Sequence, residues 1–226
     1  MLYCCFQNLL FFHFVCFKWE TAESFFVSSL EGRERLLGET HPETLSSMNN
    51  LALLYTDMRR LDESERMHLK CFDLRKRSLG ELHPDTLASM NNLALLYMSQ
   101  SRYHVAEAIQ RKCLDARITA LGRWHPNTLS SMNNLANTCR KMGQYQLAKP
   151  LYDSCLEGRT ATLGPLHLET LSCKINIASL LAESKDRCIE SELLFRETIR
   201  EGSMRYGADH PRLSSWKRSF RDRFGR

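Results

Sequence analysis

The sequence is short of the residues that punctuate domains. Across 226 residues it has six Pro and ten Gly and no Pro- or Ser-rich stretch, so composition marks no linker between domains. None of its nine cysteines sits in a Cys-x-x-Cys pair, and nine is an odd number. A disulfide framework or a zinc ribbon is therefore not expected, and a reducing, cytoplasmic setting is, with Cys serving as a small apolar residue. Nor is one sign of charge spread along the chain. Of the net +5, residues 217–226 carry +4 and residues 1–216 only +1. That argues against a nucleic-acid partner, which needs clustered Lys and Arg along the contact surface. A Gly-rich phosphate loop, a His-Glu-x-x-His pair and a nucleophile elbow are all missing, and the carboxylates are scattered. The expectation is a protein that is not an enzyme, with no cofactor and no metal. A composition of 43% hydrophobic and 25% charged residues excludes a collagen-like or mostly disordered chain.

What the chain does have is a repeat. Gly38-Glu39-Thr40-His41-Pro42-Glu43-Thr44-Leu45 returns at Gly80, at Gly122 and, with Leu168 in place of Pro, at Gly164. The period is 42 residues, and residues 38–79 share 22 identities with 80–121. A weaker start at Gly207 comes 43 residues later, consistent with one inserted residue near 182–188. In each unit Thr44, Met48, Leu51, Ala52 and Tyr55 or their equivalents form the apolar stripe of a first helix that opens at Pro42. A polar break such as Arg59-Arg60 or Gly143-Gln144 ends it. A second helix spans about Asp62 to Leu79 with Leu69, Phe72 and Leu79 inward, and Gly80 supplies a left-handed cap.

One such hairpin cannot bury its own stripe, whereas stacked neighbours share a continuous core. The predicted fold is all-α, a right-handed α-solenoid of stacked antiparallel helical hairpins. Its divisions are a degenerate repeat over 1–37, repeats over 38–79, 80–121 and 122–163, a degenerate repeat over 164–206, and a capping half-repeat with a basic tail over 207–226. Ala52, Ala94, Ala136 and Ala178 share one first-helix position, while Ser64, Ala106 and Ala148 share one second-helix position. A larger side chain at such a contact costs roughly 1–3 kcal/mol by overpacking.

The run Leu-Gly-x-x-His-Pro-x-Thr-Leu-x-x-Met-Asn-Asn-Leu-Ala-x-x-Tyr, with Glu-Gly-Arg or Asp-Leu-Arg before the next Leu-Gly, resembles the 42-residue tetratricopeptide (TPR) repeat of the kinesin light chain and nephrocystin-3 group over roughly residues 19–215. Similar arrays form the sensor region of nucleotide-binding signalling proteins, so a regulatory fragment of such a protein is the alternative to a free-standing scaffold. Departures gather toward the C-terminus, at Leu168, Lys174-Ile175, Cys139 and Leu181. They suggest a capping end.

Two terminal stretches invite other readings. Met1–Phe17 is apolar, but Gln7, Asn8 and His13 interrupt it, and it has neither a basic n-region nor a small-residue cleavage site. Register aligns Gln7-Asn8-Leu9 with Asn91-Asn92-Leu93, so residues 1–18 are read as a degenerate first helix. No membrane partner is expected. The stretch Lys217–Arg226 is read as a solvated, frayed end on which Phe220 and Phe224 could still pack.

Of the candidate sites, His41, His83, His125, His167 and His210 recur once per repeat, about 10 Å apart by helix packing distances. Zinc ligands must converge at about 2 Å from one ion, so these are turn residues. Cys71, Cys113 and Cys155 also recur at 42 and read as core. The asparagines are different. On a helical wheel Asn50 lies about 100° from Leu51 and Asn49 about 160° from it, on the face that would line a concave groove. Asn50, Asn92, Asn134 and Asn176 share one column and Asn49, Asn91 and Asn133 the next. A carboxamide both donates and accepts, so this ladder could pair with the backbone of an extended peptide; the resemblance implies the same use. Asparagines bonded to one another between repeats, or left by recent duplication, are the alternative. Variable positions on that face would set specificity: Leu53, Leu95, Asn137 and Ser179 in one column, Thr56, Met98, Arg140 and Ala182 in a second, and Asp57, Ser99, Lys141 and Glu183 in a third. The expected partner is a protein or extended peptide with apolar and acidic residues.

Overall fold

The computed structural model describes residues 2–183 and 187–225, with side chains from Trp19 onward. Among the described residues there are ten helices and no strand: α1 (Leu2–Leu37), α2 (Pro42–Asp57), α3 (Leu61–Leu79), α4 (Pro84–Ser99), α5 (Tyr103–Leu121), α6 (Pro126–Lys141), α7 (Tyr145–Leu163), α8 (Leu168–Leu181), α9 (Cys188–Tyr206) and α10 (Pro211–Phe224). They form two compact units, residues 1–102 and 103–226. Within each unit consecutive helices pack on one another.

The link from a second helix to the next first helix is built the same way each time. Gly38, Gly80, Gly122, Gly164 and Gly207 take φ between 84° and 92°. At Gly80 ψ is 165°, so the cap is not the left-handed helical one read from the sequence. It is an extended conformation with positive φ that is essentially closed to side-chain-bearing residues. Three residues on, His41, His83, His125, His167 and His210 are N-caps. Each imidazole Nδ1 accepts from the backbone N–H two residues later, as His41 does from Glu43 at 3.2 Å and His125 from Asn127 at 3.1 Å. Pro then opens α2, α4, α6 and α10, where its missing N–H costs nothing. The hydroxyls of Thr44, Thr128 and Thr170 each donate back to the carbonyl of the turn glycine at 2.8 Å.

The reverse link, from a first helix to its second helix, turns on one residue in left-handed conformation: Arg59 (φ 61°), Ser101 (φ 60°) or Gly143 (φ 74°). Register puts Phe17 at this position in the first repeat. The expected break near residue 18 is absent, and α1 runs unbroken from Leu2 to Leu37. A bulky aromatic disfavours φ > 0, and neither Gly nor Pro lies nearby to start a turn. The expected first-helix contacts of residues 1–18 lie outside the described side chains.

Two further expectations change. On α3 the buried stripe is Ser64, His68, Cys71 and Arg75; Leu69 is exposed, and Phe72 and Leu79 are half-buried. The small residues Ser64 and Cys71 set the face that packs closely, and Leu69 lies about 100° around the helix from His68. At the other end, residues 217–224 belong to α10 rather than to a frayed tail. Phe220 and Phe224 pack edge-on against fully buried Phe195, with ring centroids 6.1 and 5.9 Å away, and Arg223 donates to the Ser179 carbonyl at 3.0 Å.

Candidate functional site: the asparagine face

The first helices bury Leu45, Met48, Leu51 and Ala52 in α2, with Leu87, Leu93 and Ala94 in α4 and Leu129, Met132, Leu135 and Ala136 in α6, which turns the adjacent asparagines away from that core. In the unit of residues 1–102, Asn50 is exposed while Asn49, Asn91 and Asn92 are half-buried. The Asn92 Nδ2 donates to Asn49 Oδ1 at 2.9 Å, joining α4 to α2. Leu53 and Leu95, one turn further along each helix, are about 40% exposed, unusual for leucines placed beside a polar rung. The unit of residues 103–226 repeats the rung: Asn176 Nδ2 donates to Asn133 Oδ1 at 2.8 Å, joining α8 to α6. Asn134 is half-buried on the same face.

These bonds are the ones the alternative reading expects, asparagines paired with one another between repeats. Inter-repeat bonding uses one half of each paired carboxamide: the Asn49 and Asn133 oxygens, and the Asn92 and Asn176 nitrogens. A carboxamide has an oxygen with two lone pairs and two N–H donors, so the rung bond fixes its orientation without exhausting it; the Asn133 oxygen also accepts from the Cys173 thiol at 3.9 Å.

The remaining residues of the expected site are less uniform. Asn137 is turned toward α7, where its Oδ1 accepts from the fully buried Tyr152 hydroxyl at 2.6 Å; burial pushes that phenol up to about 12. Arg140 is paired with Glu183 at 3.2 Å, and Glu183 also lies 3.6 Å from Arg223. The Arg140 charge is therefore engaged across to the end of α8. Lys141 is exposed and makes no ion pair among the described residues. Of the basic pair read from the sequence, Lys141 is the one presented to solvent.

The period-42 arginines, which the repeat motif contains without an assigned role, hold successive helices together. Arg33, Arg75, Arg117 and Arg159 each reach from a second helix into the first turn of the next first helix. Arg75 donates to the Asp85 carbonyl at 3.1 Å and Ser89 Oγ at 2.9 Å; Arg117 does so to the Asn127 carbonyl at 2.9 Å and Ser131 Oγ at 2.7 Å. Arg159 bonds the Glu169 carbonyl at 2.8 Å and pairs with its carboxylate at 3.1 Å. Arg75, Arg117 and Arg159 are 6%, 6% and 4% exposed. This is a structural staple, visible in the sequence as an Arg and a Ser that recur in phase.

The Cys71 and Cys113 thiols are fully buried and burial pushes both up, the opposite of an activated nucleophile, whereas the equally buried Cys155 thiol is lowered by its hydrogen bond with Cys173. Among the described residues no three His, Cys, Asp or Glu converge on a metal-sized site, and no helix is long and apolar enough to cross a membrane.

The family model for the tetratricopeptide repeat matches residues 7–77, 46–119 and 127–200. Among solved structures, the kinesin light chain TPR-like repeats of Podosopora anserina superpose with a TM-score of 0.68 at 21% identity, over 83% of this chain and 89% of that one. BtubC (BKLC) from P. vanneervenii does so with a TM-score of 0.74 at 18% identity, over 92% of this chain and 84% of that one. No curated protein matches the sequence. The recurring Gly–His–Pro link, the hairpin packing and the matched repeats agree: this chain belongs to the tetratricopeptide repeat family, whose repeats indicate a protein-interaction scaffold.

Proposed function

We propose that this chain binds an extended peptide segment along the asparagine face of its first helices, acting as a non-catalytic cytoplasmic scaffold. The observation that carries the reading is the cross-repeat carboxamide rung, at 2.9 Å from Asn92 to Asn49 and 2.8 Å from Asn176 to Asn133. Each rung holds polar groups at fixed orientation, which lowers the ordering cost of binding a peptide backbone. Exposed Leu53 and Leu95 beside the first rung suit an apolar anchor residue in the ligand. Lys141, unpaired in the other unit, suits an acidic one.

A peptide array probed with the whole chain, followed by titration of its tightest peptide, tests this. Replacing Asn50, Asn92 and Asn134 together by Ala should weaken that peptide about tenfold or more, the loss of roughly 1.4 kcal/mol, with helical content unchanged by circular dichroism. Lys141→Glu should weaken acidic peptides more than Arg140→Glu does. Equal affinity of the wild type and the triple Asn variant would overturn the assignment.

A further inference from the structure

A second, chemically different surface lies between α9 and α10. Arg196, Ile199 and Arg200 of α9 and Lys217, Phe220 and Arg221 of α10 line an open cleft with an apolar floor and a cationic rim. Arg196 is paired with Glu192 and stands over the Phe220 ring at 5.3 Å; Lys217 donates to the Ala208 carbonyl at 2.8 Å. Arg200 and Arg221 are exposed and make no ion pair or side-chain hydrogen bond among the described residues. No carboxylate lines the cleft.

Register says what such a place holds elsewhere in the same unit. Shifting by 43 residues puts Lys217 on Lys174, Phe220 on Ile177 and Arg221 on Ala178. At those positions α8 is covered by α9: Lys174 pairs with Glu201 at 2.8 Å, and Ser191 Oγ donates to the Ala178 carbonyl at 2.7 Å. Ala52, Ala94, Ala136 and Ala178 are all fully buried, and Arg221 alone puts a guanidinium in that column. An apolar helix seated there would bury the guanidinium without a counter-charge, at a cost of several kcal/mol. A helix that carries carboxylates at its edges removes that cost and adds charge-assisted hydrogen bonds.

We infer that the α9/α10 cleft is a second binding site, and that it takes an acidic amphipathic helix from a partner protein. Leu- or Phe-type residues of the partner pack on Ile199 and Phe220, and its Glu or Asp side chains meet Arg200, Lys217 and Arg221. The site is separate from the asparagine face and does not depend on it.

The test uses the full chain and a fluorescent synthetic helix of about five turns, with a Leu stripe flanked by Glu. Saturable binding that weakens with salt is expected. It should fall about tenfold when the probe's Glu residues become Gln, and by a similar factor in an Arg200→Glu/Arg221→Glu variant. Arg200→Gln/Arg221→Gln, a milder change, should give an intermediate loss if the reversed variant folds poorly by circular dichroism. The Asn50, Asn92, Asn134 to Ala variant should bind this probe as the wild type does, which separates failure here from failure of the peptide face. Equal affinity for the Glu and Gln probes, or unchanged affinity in both arginine variants, would overturn the assignment. So would binding to phosphatidylserine-containing vesicles with none to the peptide.

Discussion

Two kinds of junction join a second helix to the next first helix, and they solve one packing problem with opposite chemistry. At α3/α4, α5/α6 and α7/α8 a buried arginine crosses the gap to a backbone carbonyl, with a Ser hydroxyl or the Glu169 carboxylate completing its bonds. At α9/α10 register puts Gly202 in place of the arginine, Leu213 in place of the threonine and Trp216 in place of the serine. Leu213 and Trp216 are 0% and 8% exposed, in a cluster with Leu171, Ile175 and Phe195. A Cβ on Gly202 would lie 3.3 Å from the Leu213 side chain, so the small residue and the apolar plug belong together. A buried cation is tolerable at the first three junctions because the first turn of the next helix offers a carbonyl with a second lone pair and, beside it, a Ser hydroxyl or the Glu169 carboxylate; at α9/α10 the site is filled with hydrocarbon instead.

The comparison can be broken from either side. Trp216→Ala empties the plug and should cost about 3–5 kcal/mol, while Arg117→Met removes the charge-assisted bonds to the Asn127 carbonyl and the Ser131 hydroxyl and should cost about 1.5–3 kcal/mol. Urea denaturation of both variants checks this, and a smaller loss for Trp216→Ala than for Arg117→Met would mean that the apolar junction is the weaker one.

His68 offers a pH-dependent version. It is 1% exposed, neither ring nitrogen has a partner, and burial pushes its pKa down to about 4. In the next unit the equivalent residue, Gln110, accepts from Thr138 Oγ1 at 2.7 Å; register puts Leu96 opposite His68, so no hydroxyl is supplied. The unfolded chain takes up a proton at this histidine near pH 6.5, and the folded chain does so only near 4. Stability from this residue is therefore complete above about pH 6.5 and lost progressively as pH falls toward 4, by up to about 3 kcal/mol. His68→Leu should remove that slope, seen as the difference between the two proteins' stability curves from pH 7 to pH 4.

The smallest effects come from two helical glycines of opposite sign. A Cβ on Gly158 would lie 2.5 Å from both Leu129 and Trp124, and one on Gly32 meets nothing within 4 Å. Gly158→Ala should destabilise by about 1–3 kcal/mol and be partly rescued by Trp124→Leu, the residue at Leu82 and Leu166. Gly32→Ala should stabilise by about 0.5–1 kcal/mol. Thermal melts of the three variants order them.

Much of the fold was readable because turn chemistry repeats. The Gly, His, Pro and Thr of each link are forced by φ, capping and the lost N–H of proline, and such demands show in any copy. The helix faces were harder. Leucine's apolarity points Leu69 inward, yet the buried stripe carries His68, whose ring nitrogens have no partner, and Arg75, whose partners Asp85 and Ser89 lie 10 and 14 residues on in sequence. The asparagine columns were found by phase alone, but the pairing of Asn92 with Asn49 needs the neighbouring helix to be in place. Arg140 shows the same limit: its charge is engaged by Glu183, 43 residues on.

Both carboxamide rungs have one sense: the downstream repeat donates and the upstream repeat accepts. The amide dipoles of a rung therefore point along the chain rather than across it, and its two rims differ, one offering nitrogen and the other oxygen. A surface with that asymmetry has a heading. A strand laid on it N-to-C would not be equivalent to the same side chains laid C-to-N, and a retro-sequence peptide would be a different ligand.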